Sequence, residues 1–490
     1  MERLEDLLRE SLRKRAAADV FWWNGDWLKG QALLAAVAAE REALIAAGFK
    51  EGQRLMTLLP NCPALLTLAL AVWSLKGTLI PLNMRAGTDN LLPTIDLVQP
   101  FAIVVARGDA KAAAGVLRYP VVEIEPTAGT LDKFRGVERK TTPPDWAVFF
   151  TTSGTTGLPK AVPLSHENFI DNVRSICKHF PIYPHDTIIW ALPNFHSFGL
   201  TLSMLLPQYA GAKVAAVPAF MPPLKTLEAI RDAGCTVLFL VPAMLEFLKR
   251  SAAHNPIEID TVRAVITGGD RLNLSLDQAS VELFGHPILE GYGTTECSPV
   301  VTFNNDEKTR KLGTIGPVLP GYEWKVCDQQ GAPLPPETPG VLKLRGKSVF
   351  HGYYEAPQAT AERLSPDGWY DTGDVVKYDA DGYITVLDRL TDIIIVGGFN
   401  VYPQEVERIL NVHPSIAQAA VVSMRHLVNG EIPRAFVVLK EGASVTDRDI
   451  IEYCKGKLAN YKIPRKVDFV ESLPTSPSGK ILRRKLRELE

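Results

Sequence analysis

From about residue 50 onward, short apolar runs alternate with longer stretches of helical spacing, and this alternation narrows the possible folds more than any other feature of the chain. The runs RLMTLLP (54–60), AIVVA (102–106), WAVFF (146–150), TIIWALP (187–193), KVAAVP (213–218), TVLFLV (236–241), AVIT (264–267) and PILEG (287–291) carry too little polar character for strands wetted on one face. They read as strands buried on both faces. Between them, segments such as HENFIDNVRSICKHF (166–180) and NLSLDQASVELFG (273–285) show helical spacing with polar faces. Strand–helix alternation of this kind predicts an α/β fold of largely parallel sheets covered by helices. One further apolar run, Pro63 to Leu75, stops at Lys76, short of the ~20 residues a membrane helix needs. It predicts a buried helix and no membrane span.

After residue 310 the texture changes. Short β-like pieces are punctuated by Gly and Pro, and the Asp381-Gly382 pair marks a hairpin turn. This predicts a small β subdomain at about 310–388, closing a large N-terminal domain of layered α/β sheets (1–388). The remainder, 389–490, holds the strand IIIV, a helix starting at Pro403, strands near 418–424 and 434–439, and a helix from about Thr446. It predicts a small, mobile α+β C-terminal domain joined by a short hinge. At 490 residues the chain is long enough for this many units.

Charge excludes some partners. A net charge of −2 gives no overall field toward nucleic acid or lipid. Six scattered cysteines form no metal-ligand spacing and read as free thiols of a reducing compartment. The start, MERLEDLLRESLRKR, has no apolar core of a secretory signal, so the sequence predicts a cytoplasmic location.

The sharpest chemical signal is Thr151-Thr152-Ser153-Gly154-Thr155-Thr156-Gly157-Leu158-Pro159-Lys160, directly after the strand WAVFF. Two glycines let backbone N–H groups face a polyphosphate, five hydroxyls add donors, and Lys160 adds a mobile positive charge. It is not a Walker A loop, because Lys160 does not follow Gly157 and Ala161 occupies the Ser/Thr position.

Four later motifs follow in order: Leu289-Glu290-Gly291-Tyr292-Gly293-Thr294-Thr295-Glu296, Tyr370-Asp371-Thr372-Gly373-Asp374, Asp388-Arg389-Leu390-Thr391-Asp392 with Gly397-Gly398, and PTSPSGK ending at Lys480. Together with the loop they resemble the adenylate-forming superfamily of acyl-CoA synthetases, adenylation domains and luciferases, from about residue 20 to the end. The resemblance implies ATP, Mg²⁺, and either CoA or the phosphopantetheine of an acyl carrier protein. Thr152, Ser153, Gly154, Thr155, Thr156 and Lys160 would hold the phosphates. Gly269 would line the adenine and the pocket floor, with Glu290, Gly291 and Tyr292 in the nucleotide set. Thr295 would bind the α-phosphate and Glu296 the Mg²⁺, which takes few carboxylates beside substrate phosphates. Asp374 would accept the ribose hydroxyls and Arg389 would reach the same sugar. Lys480 would bridge carboxylate and α-phosphate during adenylation, and His196 would border the acyl pocket. Gly397 and Gly398 would line a pantetheine channel once the C-terminal domain swivels.

Three positions depart from the family pattern: Thr391 at the hinge instead of Asp or Lys, Ala161 instead of Gly, and Asp388 instead of Gly. Ser197 stands where amino-acid-activating members carry an aspartate for the substrate ammonium, so the reading disfavours amino acids and favours an apolar, fatty acid. Ten Lys/Arg against four acidic residues from Lys455 onward suit an anionic acceptor, CoA and an acidic carrier protein equally. The oligomeric state stays open, a homodimer included. Rival readings are an adenylate-former that oxygenates or cyclises its intermediate, and a silent acid- or nucleotide-binding protein. Retention of Lys160, Glu296, Asp374, Arg389 and Lys480 speaks against the second.

Overall fold

A computed structural model describes residues 2–83, 88–109, 119–127, 129, 131–139, 141–153, 159–270, 272, 275–426, 430–475 and 481–489. Each of the eight apolar runs forms a strand, and Ala102–Ala106, Thr187–Trp190, Val237–Leu240 and Ala264–Thr267 are buried at every residue. Their Val/Ile/Leu density has the expected cause: both faces are covered, so neither can be polar. Two compact units result. The first comprises Met1–Trp324 and Leu344–Tyr370, the second Lys325–Lys343 and Asp371–Glu490.

The first unit holds two sheets. One has eight strands in the order Val300–Phe303, Ile288–Gly293, Ala264–Thr267, Val237–Leu240, Thr187–Trp190, Lys213–Ala216, Asp19–Trp23, Asp26–Lys29. Its inner pairs are parallel and its two edge strands antiparallel. The other has six strands in the order Val121–Ile124, Ala102–Ala106, Arg54–Leu58, Thr78–Pro81, Trp146–Ser153, Pro159–Ser165, with only the last antiparallel. The helix Pro63–Ser74 is buried from Pro63 to Trp73 and has no polar face. No helix among the described residues is long and apolar enough to cross a membrane. Helix His166–His179 begins where the last strand ends. Ser165 Oγ accepts from Asn168 N (3.1 Å) and Asn168 Oδ1 from Ser165 N (2.8 Å), a reciprocal cap that stops the strand and starts the helix at one residue.

In the second unit, Tyr370–Tyr378 and Ile384–Arg389 pair as the expected hairpin within a four-stranded sheet built mainly from this unit. A second sheet has Ile416–His426 against Gly430–Leu439 at its centre, with Ile394–Val396, Phe399–Val401 and Lys466–Phe469 beside them. Helices Pro403–Asn411 and Asp447–Cys454 contribute Val406, Leu410, Ile450 and Cys454 to the core on that sheet. The α/β class with a small α+β C-terminal domain stands as the sequence predicts. All six cysteines are free.

Candidate active site

Within the first unit, strand Ile288–Gly293 delivers the Thr295–Cys297 turn, and two glycines make that delivery possible. A Cβ on Gly291 would lie 2.6 Å from Phe303 Cβ, and one on Gly293 would lie 2.1 Å from the Pro299 carbonyl. Only glycine lets Val300–Phe303 fold back so tightly against the strand. The fold-back presents Thr295 and Glu296 in one 3₁₀ turn, with Glu290 and Tyr292 half-buried behind it.

The segment 350–354 then draws the two sheets' chemistry together. Phe350 N donates to the Glu296 carbonyl (2.8 Å), Tyr354 N donates to the Ala161 carbonyl (2.9 Å), and Tyr353 OH donates to Glu296 Oε1 (2.8 Å). Lys160 Nζ stands 5.1 Å from the centre of the Tyr353 ring. Burial, then the Glu296 carboxylate, push the Tyr353 phenol far up, so it remains a donor. Tyr353 therefore joins Lys160 to Glu296, a role with no signal in the sequence motifs. Cys297 is not a nucleophile. Burial pushes its thiol well above the ordinary range.

His196 sits at the head of the turn Ser197–Gly199, which passes into a π-helical stretch, Leu200–Leu205. Such wide turns concentrate at functional sites. The segment before His196 is pinned by two buried asparagines. Asn194 Nδ2 donates to the Leu59 carbonyl (2.8 Å), and Asn61 Nδ2 donates to the Leu192 carbonyl (3.0 Å) and the Trp190 carbonyl (3.3 Å). Breaking such a buried pair costs about 1–3 kcal/mol. They lie 133 positions apart in the chain, so no spacing pattern could have announced it. Ser197 is buried, and its Oγ shares a hydrogen bond with Thr295 Oγ1 at 3.1 Å. Gly268 and Gly269 follow the strand Ala264–Thr267. A Cβ on Gly268 would be 3.8 Å from the Phe198 ring, and one on Gly269 would be 3.5 Å from Val241 Cγ1. Apolar side chains thus flank the glycine pair.

The second unit carries Asp374, Arg389, Gly397 and Gly398. Asp374 is buried, and Arg389 Nε lies 2.7 Å from its Oδ1 across the hairpin register. The structure brings these two side chains together as an ion pair. Gly397 and Gly398 form the two-residue turn between Ile394–Val396 and Phe399–Val401, with φ of +55° and +89° and open space at each Cβ position. Positive φ at both central residues suits Gly-Gly in a tight hairpin. Gly154, Thr155, Thr156 and Lys480 lie outside the described residues, as do the side chains of Thr152 and Ser153.

Asp388, one of the three departures from the family pattern, lies inside the fold. It is fully buried, accepting from Arg389 N and from Gln404 N, each at 2.9 Å. Burial outweighs the nearby Arg483 charge and these donors, pushing its pKa up to about 6, with Glu407 adding in the same direction. Unfolded, the carboxyl would titrate near ~3.9. Between these values the folded state binds more proton, so this group's contribution to stability falls as pH rises from about 4 through 6 and is flat above. Asp388→Asn removes that slope. Relative to the parent, the variant's unfolding free energy should therefore rise by up to about 3 kcal/mol between pH 4 and 7. Urea unfolding at each pH checks this, and a pH-independent difference would contradict it.

The sequence model of the AMP-binding enzyme family matches residues 8–354, and that of the AMP-binding enzyme C-terminal domain matches 405–480. Over 92% of its length the chain is 32% identical to a feruloyl-CoA synthase of Amycolatopsis sp., covering 91% of that protein. Over 72% of its length it is 33% identical to a long-chain-fatty-acid–CoA ligase of Escherichia coli O6:H1, covering 63% of it. It likewise spans only 62% to 64% of several other curated relatives. Among solved structures, ATP-bound MatB from Rhodopseudomonas palustris matches with a TM-score of 0.86 at 29% identity, over 99% of each chain.

Proposed function

Because the chain belongs to the AMP-binding enzyme family, we propose that it is an AMP-forming acid–CoA ligase acting on an uncharged, apolar, fatty acid. The observation that carries this is the convergence of Lys160, Tyr353, Glu296, Thr295 and Ser197 from two sheets onto one turn. A substrate carboxylate oxygen attacks the α-phosphorus of ATP, and the bond to pyrophosphate breaks. In the second step a CoA thiolate attacks the acyl carbon and AMP departs, the thiol proton going to solvent. Lys160 and the hydroxyls of 151–156 hold the phosphates, and Thr295 meets the α-phosphate. Asp374 and Arg389 hold the ribose. Lys480 stabilises the charge that develops in the first step.

Glu296 suits a Mg²⁺ ligand. Oε1 is held by Tyr353, while Oε2 has no hydrogen-bond partner among the described residues, and this metal is commonly held by one or two carboxylates plus phosphates. When bound, Mg²⁺ supplies charge neutralisation on the phosphate oxygens.

The acid class rests on Ser197. Buried and hydrogen-bonded to Thr295, it offers no counter-charge for an ammonium, and Phe198 and Val241 beside the glycine pair are apolar. Relatives' names cover acids as different as ferulate and long-chain fatty acids, so substrate choice is this chain's own property. CoA is favoured over a carrier protein. The relatives' names speak for it, a feruloyl-CoA synthase and a long-chain-fatty-acid–CoA ligase, whereas the basic residues after 454 suit either anionic acceptor. We propose that the pivot between half-reactions lies at the 388–392 motif, at Thr391. A panel of acids, scored by pyrophosphate release and then by thioester with CoA or holo-carrier protein, tests all of this. Octanoate and longer acids should exceed every standard amino acid, and thioester should form on CoA. An amino acid as best substrate would refute the acid class.

A further inference from the structure

Tyr353 and Tyr354 are neighbours in the chain, yet different sheets hold them. Tyr354 is anchored on the six-stranded sheet. Its N–H donates to the Ala161 carbonyl at 2.9 Å, its ring centre lies 5.2 Å from that of Phe149, and its hydroxyl accepts from Arg54 Nη1 at 2.9 Å. Arg54 is 1% exposed, and its guanidinium stands 5.5 Å from the centre of the same ring. Burial of that cation makes the contact costly to break.

Tyr353 serves the other side, the turn Thr295–Cys297. Its hydroxyl donates to Glu296 Oε1 at 2.8 Å, its N–H donates to Thr360 Oγ1 at 2.9 Å, and its ring packs edge-on against Phe350 with centres 4.9 Å apart. Phe350 N donates in turn to the Glu296 carbonyl at 2.8 Å. Backbone, ring and both flanking contacts are therefore fixed, and the hydroxyl has little freedom to leave Oε1. The two oxygens of Glu296 are made unlike: Oε1 is occupied, while Oε2 has no hydrogen-bond partner among the described residues.

We propose that Tyr353 selects the metal: by occupying Oε1 it makes Glu296 a one-oxygen ligand, which suits Mg²⁺ and disfavours Ca²⁺. Ca²⁺ gathers roughly six to eight oxygens and readily grips a carboxylate by both, whereas Mg²⁺ makes do with one or two carboxylates beside phosphates. A cation held by both oxygens has to share Oε1 with the Tyr353 proton. A cation held by Oε2 alone gives up nothing.

The proposal rests on the reading of Glu296 as the metal ligand. Binding of MgATP and of CaATP is measured by calorimetry on the parent and on Tyr353→Phe, with the acid omitted so that nothing turns over. The parent should bind MgATP on the order of 10-fold more tightly than CaATP, and in Tyr353→Phe this ratio should fall to near unity, chiefly through tighter CaATP binding, since partners that orient a metal's ligands carry effects of that size. Disturbed packing alone would weaken both complexes alike and leave the ratio where it was. Should Tyr353→Phe fail to fold, Tyr353→Leu serves, because the ratio rather than either affinity is read. No preference in the parent, or the parent ratio kept in the variant, overturns the proposal. Glu296→Gln is run alongside. If it abolishes the preference and Tyr353→Phe does not, the proposal alone fails. If the preference survives in Glu296→Gln, the assignment of Glu296 as ligand fails and the proposal with it.

Discussion

Replacing Lys480 by alanine is expected to slow acyl-AMP formation by on the order of 100- to 1,000-fold while leaving thioester formation from supplied acyl-AMP near the parent rate. The asymmetry follows from where charge develops. In the first step a carboxylate approaches a triphosphate, and negative charge accumulates on the oxygens around the α-phosphorus. A cation there is worth more in the transition state than in the ground state, so its loss appears in the rate. In the second step the charge leaves with AMP and the nucleophile attacks carbon, so the same cation has nothing to stabilise. The two rates are measured separately, by pyrophosphate release and by thioester appearance from synthetic acyl-AMP. Equal losses in both would remove Lys480 from the adenylating step and leave Lys160 as the cation to test.

The fold was legible because burial writes itself into composition. Runs such as TVLFLV and AVIT cannot be anything but covered on both faces, and both are inner strands of the eight-stranded sheet. The strands Asp19–Trp23, Thr78–Pro81 and Pro159–Ser165 escaped notice because each is short, amphipathic or interrupted by proline. Motif residues were legible where chemistry dictates type, as with the glycines of Gly291 and Gly293, whose close approach to Phe303 and Pro299 excludes a side chain. Tyr353 and the Asn61–Asn194 pair were not legible. Their partners come from remote parts of the chain, and a lone Tyr or Asn looks the same whether it binds or merely fills. The burial of Asp388 was not legible for a related reason. Sequence shows a carboxylate near an arginine, but only packing shows that it is sealed from water.

Thr391→Pro should damage thioester formation by on the order of 100-fold while leaving adenylation within a few-fold. Thr391 is exposed at the middle of the 3₁₀ turn Leu390–Asp392, a turn type whose usual φ of about −50 to −70° is close to the value proline imposes. The second residue of so short a turn has no N–H bond within the turn to lose. The ring therefore fits the conformation seen here, apart from the mild restriction it places on Leu390. A rotation that needs any other φ at 391 would cost about 3 kcal/mol or more, and a pose penalised by that amount is depopulated on the order of 100-fold. Absence of charge at 391 is not a deficit, because the ion pair that a hinge carboxylate could make is present one residue later, between Asp392 and Arg487. Thr391→Asp should accordingly be near neutral in both steps, since an exposed pair adds only ~0.2–1 kcal/mol. Loss of adenylation with thioester formation preserved would show that the favoured pose is the thioester-forming one. Both steps unharmed in Thr391→Pro would move the pivot away from 391 and the domain boundary away from 388.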